Sequence, residues 1–113
     1  MLDVKDYDVF YSLLANSYHY KLIEVVWWIN KKYGDLMFTC GKRHGDTGVH
    51  GTDPCRGIDL RSWIYKDPQE VVDSVNDIFV YDPDRPDKSV AMLHNAGSGE
   101  HIHIQVHPNT RKR

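Results

Sequence analysis

The sequence contains no run of about 18 apolar residues, the length needed to cross a bilayer, so no membrane span is expected. It also lacks an excess of either charge. Fourteen basic residues stand against sixteen acidic ones, a net −2. Bulk electrostatics therefore give no reason to expect nucleic acid or an anionic surface as a partner. The basic end, Arg111 to Arg113, is short and reads as a solvated tail. Cysteine is scarce: Cys40 and Cys55 form no CxxC pair and read as two thiols rather than a disulfide framework. Internal repeats and low-complexity segments are missing. The opening "MLDVKDYDVF" lacks the basic-then-apolar order of a signal peptide. Synthesis in the cytoplasm without an export leader is the expectation, with any later export by another route.

What remains is ordinary for one globular domain over residues 1–113: 41% hydrophobic and 27% charged residues, enough for a modest core. The unusual abundance is histidine. There are seven, and five of them fall in two short segments, 44–50 and 101–107.

Apolar spacing sets the expected elements. Residues 3–17 read as a first helix with Val9, Phe10, Leu13 and Leu14 on its apolar side. In "KLIEVVWWINKKYGD", Leu22, Val25, Val26, Ile29 and Tyr33 recur on one helical face, and Gly34 stops the helix after Lys31 and Lys32. Trp27 and Trp28 read as packing residues. "DLMFTCG" is a short buried strand ended by Gly41. Residues 41–57, with five glycines and one proline, are a long loop of the kind that carries function. "IDLRSWIY", 58–65, reads as a second strand. Pro68 opens a second amphipathic helix through Val71, Val72, Val75, Ile78 and Phe79. Composition makes 82–88 a turn, 89–95 a strand, "AGSG" a hairpin turn and "EHIHIQVH" the last strand. The order helix, helix, strand, loop, strand, helix, hairpin predicts an α+β fold, a small antiparallel sheet packed with two or three helices.

In the segment "GEHIHIQVHPN", alternation sends Ile102, Ile104 and Val106 to the core and His101, His103, Gln105 and His107 to the other face. Two imidazoles two residues apart lie roughly 6–7 Å apart along a strand, so both can reach one site. Neutral imidazole is the commonest protein ligand for zinc, and a catalytic zinc needs three protein ligands and an open position. An HxH pair alone also suits a polar outer face or a cupin. A cupin, however, wants a glutamate shortly after it, where this chain has Gln105, Val106 and His107. The glycine-rich loop supplies further candidates. His50 lies within it, and Asp59 sits between core residues Ile58 and Leu60, on the opposite face. The plainer readings are a loop histidine and a surface or capping carboxylate.

Taken together, "LMFTCGKR", "VHGTDPCRGIDLR" and "GEHIHIQV" resemble the zinc D-alanyl-D-alanine peptidase family and its relatives. That group includes lysostaphin-type enzymes, phage L-alanyl-D-glutamate endolysins and the hedgehog signalling domain. "TCGKR" at 39–43 stands for a "TSGYR"-like turn, His50 and Asp59 for SxHxxGxAxD, and Glu100, His101 and His103 for ExxH and HxH together. The resemblance spans roughly residues 20 to 107, in the family's order. Gly57 fits the small residue two before the aspartate. Gly48 replaces the serine, and His50 and Asp59 lie two residues farther apart than the motif, implying a bulge around Pro54 and Cys55. His44 is the alternative ligand.

The resemblance implies a hedgehog-like peptidase fold and Zn²⁺ held by His50, Asp59 and His103. It implies Glu100 as the general base that takes a proton from water and passes it to the leaving amine. His101 would lie beside the metal, hydrogen-bonded to the water or the oxyanion. Arg43 would stabilise the oxyanion or bind a substrate carboxylate. All six residues are expected to meet in one cleft with Arg43 at its rim. The implied substrate is a peptide bond next to a D-amino acid in peptidoglycan. The implied setting is a phage or prophage lysis enzyme, reaching the wall after release or as part of a virion. Other readings stay open: a non-catalytic zinc module on the same fold, another metal-dependent hydrolase, or a structural zinc on Cys40, Cys55 and His44.

Overall fold

The computed structural model describes residues 1–95 and 99–113. The chain runs β1 (Leu2–Val4), α1 (Tyr7–Ala15), α2 (Tyr20–Tyr33), β2 (Leu36–Cys40), a single 3-10 turn (Val49–Gly51), and β3 (Gly57–Arg61). It continues through α3 (Pro68–Ile78), β4 (Phe79–Val80), β5 (Ala91–Asn95), β6 (Glu100–Gln105) and β7 (Arg111–Lys112). Five strands make one mixed sheet in the order β1-β2-β3-β6-β5, and β4 pairs with β7 separately. β1 runs parallel to β2; the other pairings are antiparallel. The result is a mixed α+β fold with three helices. No helix among the described residues is long and apolar enough to cross a membrane.

α2 forms where the apolar period predicts it. Its buried stripe is Leu22, Val25, Val26 and Ile29, and Gly34 closes it at φ 82°, a left-handed conformation that suits glycine. α3 is capped by Asp67, whose side chain accepts from the Glu70 N–H, and Pro68 occupies its first turn. Val71, Val72 and Val75 face inward. These stripes and the sheet residues Ile58, Leu60, Ile102 and Ile104 form one core. Each such side chain contributes roughly 1.5–3 kcal/mol by leaving water. The pleat then commits Asp59, Arg61, His101 and His103 to the face turned away from that core.

The structure departs from the sequence reading in five places. The helix expected over 3–17 is split: residues 2–4 pair with Leu36, Met37 and Phe38, and Asp6 starts α1 by accepting from the Val9 N–H at 3.0 Å. Only Val9 of α1 is buried, with Leu13 packed on the core, while Phe10 and Leu14 are exposed. The strand expected through Tyr65 ends at Arg61, because the Tyr65 N–H turns back to the Ser62 carbonyl at 3.1 Å. Arg111 and Lys112 pair with Val80 and Phe79, so the basic tail is held by its backbone. β6 ends at Gln105, and His107 swings to Asp82, its Nδ1 lying 3.6 Å from the carboxylate. The turn expected over "AGSG" lies outside the described residues except for Gly99.

Candidate metal centre

Three adjacent strands and one loop turn build the centre. Asp59 is the middle residue of β3. Its cross-strand partners are Cys40 on β2, where the register shifts after Phe38, and His103 on β6. His50 arrives from the loop on the 3-10 turn and is buried. Gly57 makes that approach possible. A Cβ there would collide with Val49 Cγ2 and stand 3.2 Å from the His50 backbone nitrogen. The small residue two before Asp59 is thus a packing requirement of the turn that carries His50. The same loop contains a cis Asp53–Pro54 bond and Cys55, which is buried and bridged to Tyr18.

Cys40, His50 and Asp59 form a buried cluster able to hold a metal ion, with their donor atoms within 4.8 Å of one another. His103 joins Asp59 from the other side. His50 Nε2 lies 3.2 Å and His103 Nδ1 3.0 Å from the same oxygen, Asp59 Oδ1, and the two rings are 5.2 Å apart between centroids. Asp59 Oδ2 faces Arg43 Nη2 at 3.3 Å and His101 Nε2 at 3.6 Å. Burial alone would raise the Asp59 pKa. The hydrogen bonds from His103 and His50, with the nearby His50 and His101 charges, outweigh it and hold the carboxyl well below the usual carboxylate range.

The outer nitrogens of the two rings fix their tautomers. His50 Nδ1 is 2.9 Å from the Gly41 carbonyl, which can only accept, so Nδ1 carries a hydrogen. Gln105 donates its amide N–H to the Ser89 carbonyl at 3.0 Å, which turns its Oε1 to His103 Nε2 at 3.1 Å. That nitrogen is therefore a donor too. In the neutral rings, His50 Nε2 and His103 Nδ1 then present lone pairs, and both point at a carboxylate oxygen. Lone pairs facing an anion need a proton or a cation between them. Outer N–H groups held by a carbonyl and an amide are the usual support for metal-ligating histidines.

All six residues singled out from the sequence line one cleft of about 500 Å³, together with Lys5, Thr39, Cys40, Arg61, Trp63, His94 and Gly99. Their placement within it differs. Glu100 is exposed at the first residue of β6, on the pleat face opposite His101. Its carboxylate makes no hydrogen bond to the cluster among the described residues. His101 meets His94 of β5 at 3.3 Å. Arg43 has its nitrogens engaged: Nε to Cys40 Sγ at 3.2 Å, Nη2 to Asp59 and Nη1 to Asp46 at 3.6 Å. His44 is exposed and outside the cleft. Both cysteines are free thiols, and they lie in different settings. Cys55 donates to the Gly57 carbonyl at 3.2 Å, while Cys40 faces His50 and Asp59. Burial pushes the Cys40 thiol pKa up, and Arg43 partly opposes it.

Sequence reasoning missed Cys40 as a member of the cluster, Gln105 as the residue that orients His103, and His94 as the neighbour of His101. For Gln105 a signal existed: it continues the His101, His103 alternation. For Cys40 the placement depends on the irregular β2–β3 register, which no local pattern announces. Comparison of the chain with protein-family models, with curated proteins and with solved structures finds no match in any of the three. Fold and site together define an α+β domain with a buried Cys/His/Asp cluster suited to a metal ion.

Proposed function

We propose that the protein is a zinc-dependent peptidase of bacterial peptidoglycan. The observation that carries the reading is the convergence of two oriented imidazoles on the buried Asp59 carboxylate, at the base of an open cleft. Two neutral histidines and a carboxylate are a ligand set typical of catalytic zinc. We assign His50, Asp59 and His103 as the ligands. When bound, zinc supplies Lewis acidity and lowers the pKa of a water toward about 7. We assign Glu100, which lines the cleft from the first residue of β6, as the general base: it takes the proton of the attacking water and delivers it to the leaving amine, a role worth about 10²–10⁴-fold in rate. His101 donates a hydrogen bond to the developing oxyanion. Arg43 holds Asp59 Oδ2, which keeps the carboxylate's other oxygen turned to the two histidines. The substrate class follows from the motif order that resembles the D-alanyl-D-alanine peptidases, and the setting is wall degradation by a phage or prophage product.

Cys40 favours a second reading. The buried cluster is Cys40, His50 and Asp59; with His103, which meets Asp59 at 3.0 Å, it would make a closed set of four, as in structural zinc sites, on a non-catalytic module. One side-by-side experiment separates the two: zinc content and muropeptide hydrolysis of Glu100→Gln and His103→Ala. For the peptidase, Glu100→Gln keeps fold and zinc and loses most cleavage, whereas His103→Ala loses both zinc and cleavage. Unchanged cleavage by Glu100→Gln overturns the mechanism, and a parent that binds zinc without cleaving makes the non-catalytic module the better reading.

A further inference from the structure

Besides the metal cluster, the cleft holds a cation, Arg61, that makes no salt bridge among the described residues. Arg61 sits on β3 two residues after Asp59, so its side chain shares the polar face of the sheet. Its cross-strand partner is His101. The guanidinium carbon lies 4.7 Å from the centre of the Trp63 ring, a cation–π arrangement that holds the fork in place without occupying its N–H donors. Among the described residues no carboxylate lies within salt-bridge distance of Arg61. Trp63 is 71% exposed. Lys5, from the end of β1, lines the same cleft.

Arg43 offers a contrast. Three of its five N–H groups already point at Cys40, Asp46 and Asp59, so part of its charge is met within the protein. The cleft carries three permanent cations, Lys5, Arg43 and Arg61, against two carboxylates, Asp59 and Glu100. Asp59 is already committed to Arg43 and three histidines.

We infer that Arg61, stacked on Trp63 in a cleft that Lys5 also lines, is a subsite that binds a carboxylate of the substrate. The inference rests on the peptidase reading and deepens it. The substrate must carry an ionised carboxylate close to the bond that is cut, and Arg61, not Arg43, recognises it. A planar carboxylate matches the guanidinium fork through two parallel hydrogen bonds. The indole face covers one side of that pair from water.

The test is a calorimetric titration of the zinc-loaded Glu100→Gln protein with two probes. One is a peptidoglycan stem pentapeptide with free carboxylates; the other is the same peptide with every carboxylate converted to carboxamide. We expect the acid form to bind about tenfold tighter or more, the worth of a hydrogen bond to a charged group. Adding Arg61→Gln, which keeps the stem and removes the charge, should abolish the preference while zinc content and the circular dichroism spectrum stay unchanged. Arg61→Lys should restore part of it. Equal binding of the two probes, or a preference that survives Arg61→Gln, overturns the subsite and leaves the peptidase reading standing. Failure of both probes to bind overturns the peptidoglycan reading and the subsite with it.

Discussion

Replacing Asp59 with asparagine tests the centre most directly, because four side chains converge on this one. Oδ1 lies against the His50 and His103 rings, and Oδ2 against Arg43 and His101. Asparagine has nearly the same shape but one acceptor oxygen and one amide donor. The carboxylate charge is lost, and with it the charge-assisted bond from Arg43 and the anion that draws a proton or a cation between Oδ1 and the two rings. A hydrogen bond to a charged group is worth about 1.5–3 kcal/mol, so the variant should be less stable by roughly 2–3 kcal/mol, or about 10 °C in melting temperature for a domain of this size. The pH dependence has a definite sign. The Asp59 carboxyl is held below its ordinary value, so its stabilising effect is fully present above the unfolded value of about 4 and is lost as pH falls toward the folded one. The gap between parent and variant should therefore shrink in acid. Zinc supplies the sharper readout. At a hundredfold excess over Kd, a ligand that binds only the folded state stabilises it by about 2.7 kcal/mol, again near 10 °C. Thermal melts followed by circular dichroism, with and without zinc, should show that rise for the parent and almost none for Asp59→Asn. An equal rise in both proteins would remove Asp59 from the ligand set.

Gly57→Ala should leave the core intact but push the Val49–Gly51 turn off β3, because its Cβ meets Val49 and the His50 backbone. Zinc affinity measured by competition with a chelator should fall about tenfold or more, and no change in affinity would rule out the part Gly57 plays in seating His50. Gln105→Leu keeps the bulk beside His103 and removes the acceptor at its Nε2. It should weaken zinc binding by about 10–100-fold with little change in fold, and unchanged affinity would refute the orienting role of the amide.

Helices α2 and α3 were legible in the sequence because their valines, leucines and isoleucines repeat at the helical period and their ends carry Gly34 and Pro68. β6 was legible for the matching reason at period two, and that alternation is what puts His101 and His103 on one face. The split between β1 and α1 was not, since residues 2–4 become a strand only by pairing with Leu36–Phe38, more than thirty positions away. β7 depends on Phe79 and Val80 in the same manner. The site follows this division. Asp59 could be read from its apolar neighbours, whereas Cys40 enters through a shifted strand register and Arg61 matters only once Trp63 is seen folded against it.

The β3–β6 pairing has a kinetic consequence. Asp59 and His103 are directly opposed, yet the chain between them forms α3, β4 and β5 before it returns. No short segment of the unfolded chain can reproduce their geometry, so a cation finds its site only after the central sheet has closed. Contacts made that late act on the unfolding barrier. In stopped-flow mixing, zinc should leave the rate of refolding nearly untouched and slow the rate at which the native protein comes apart.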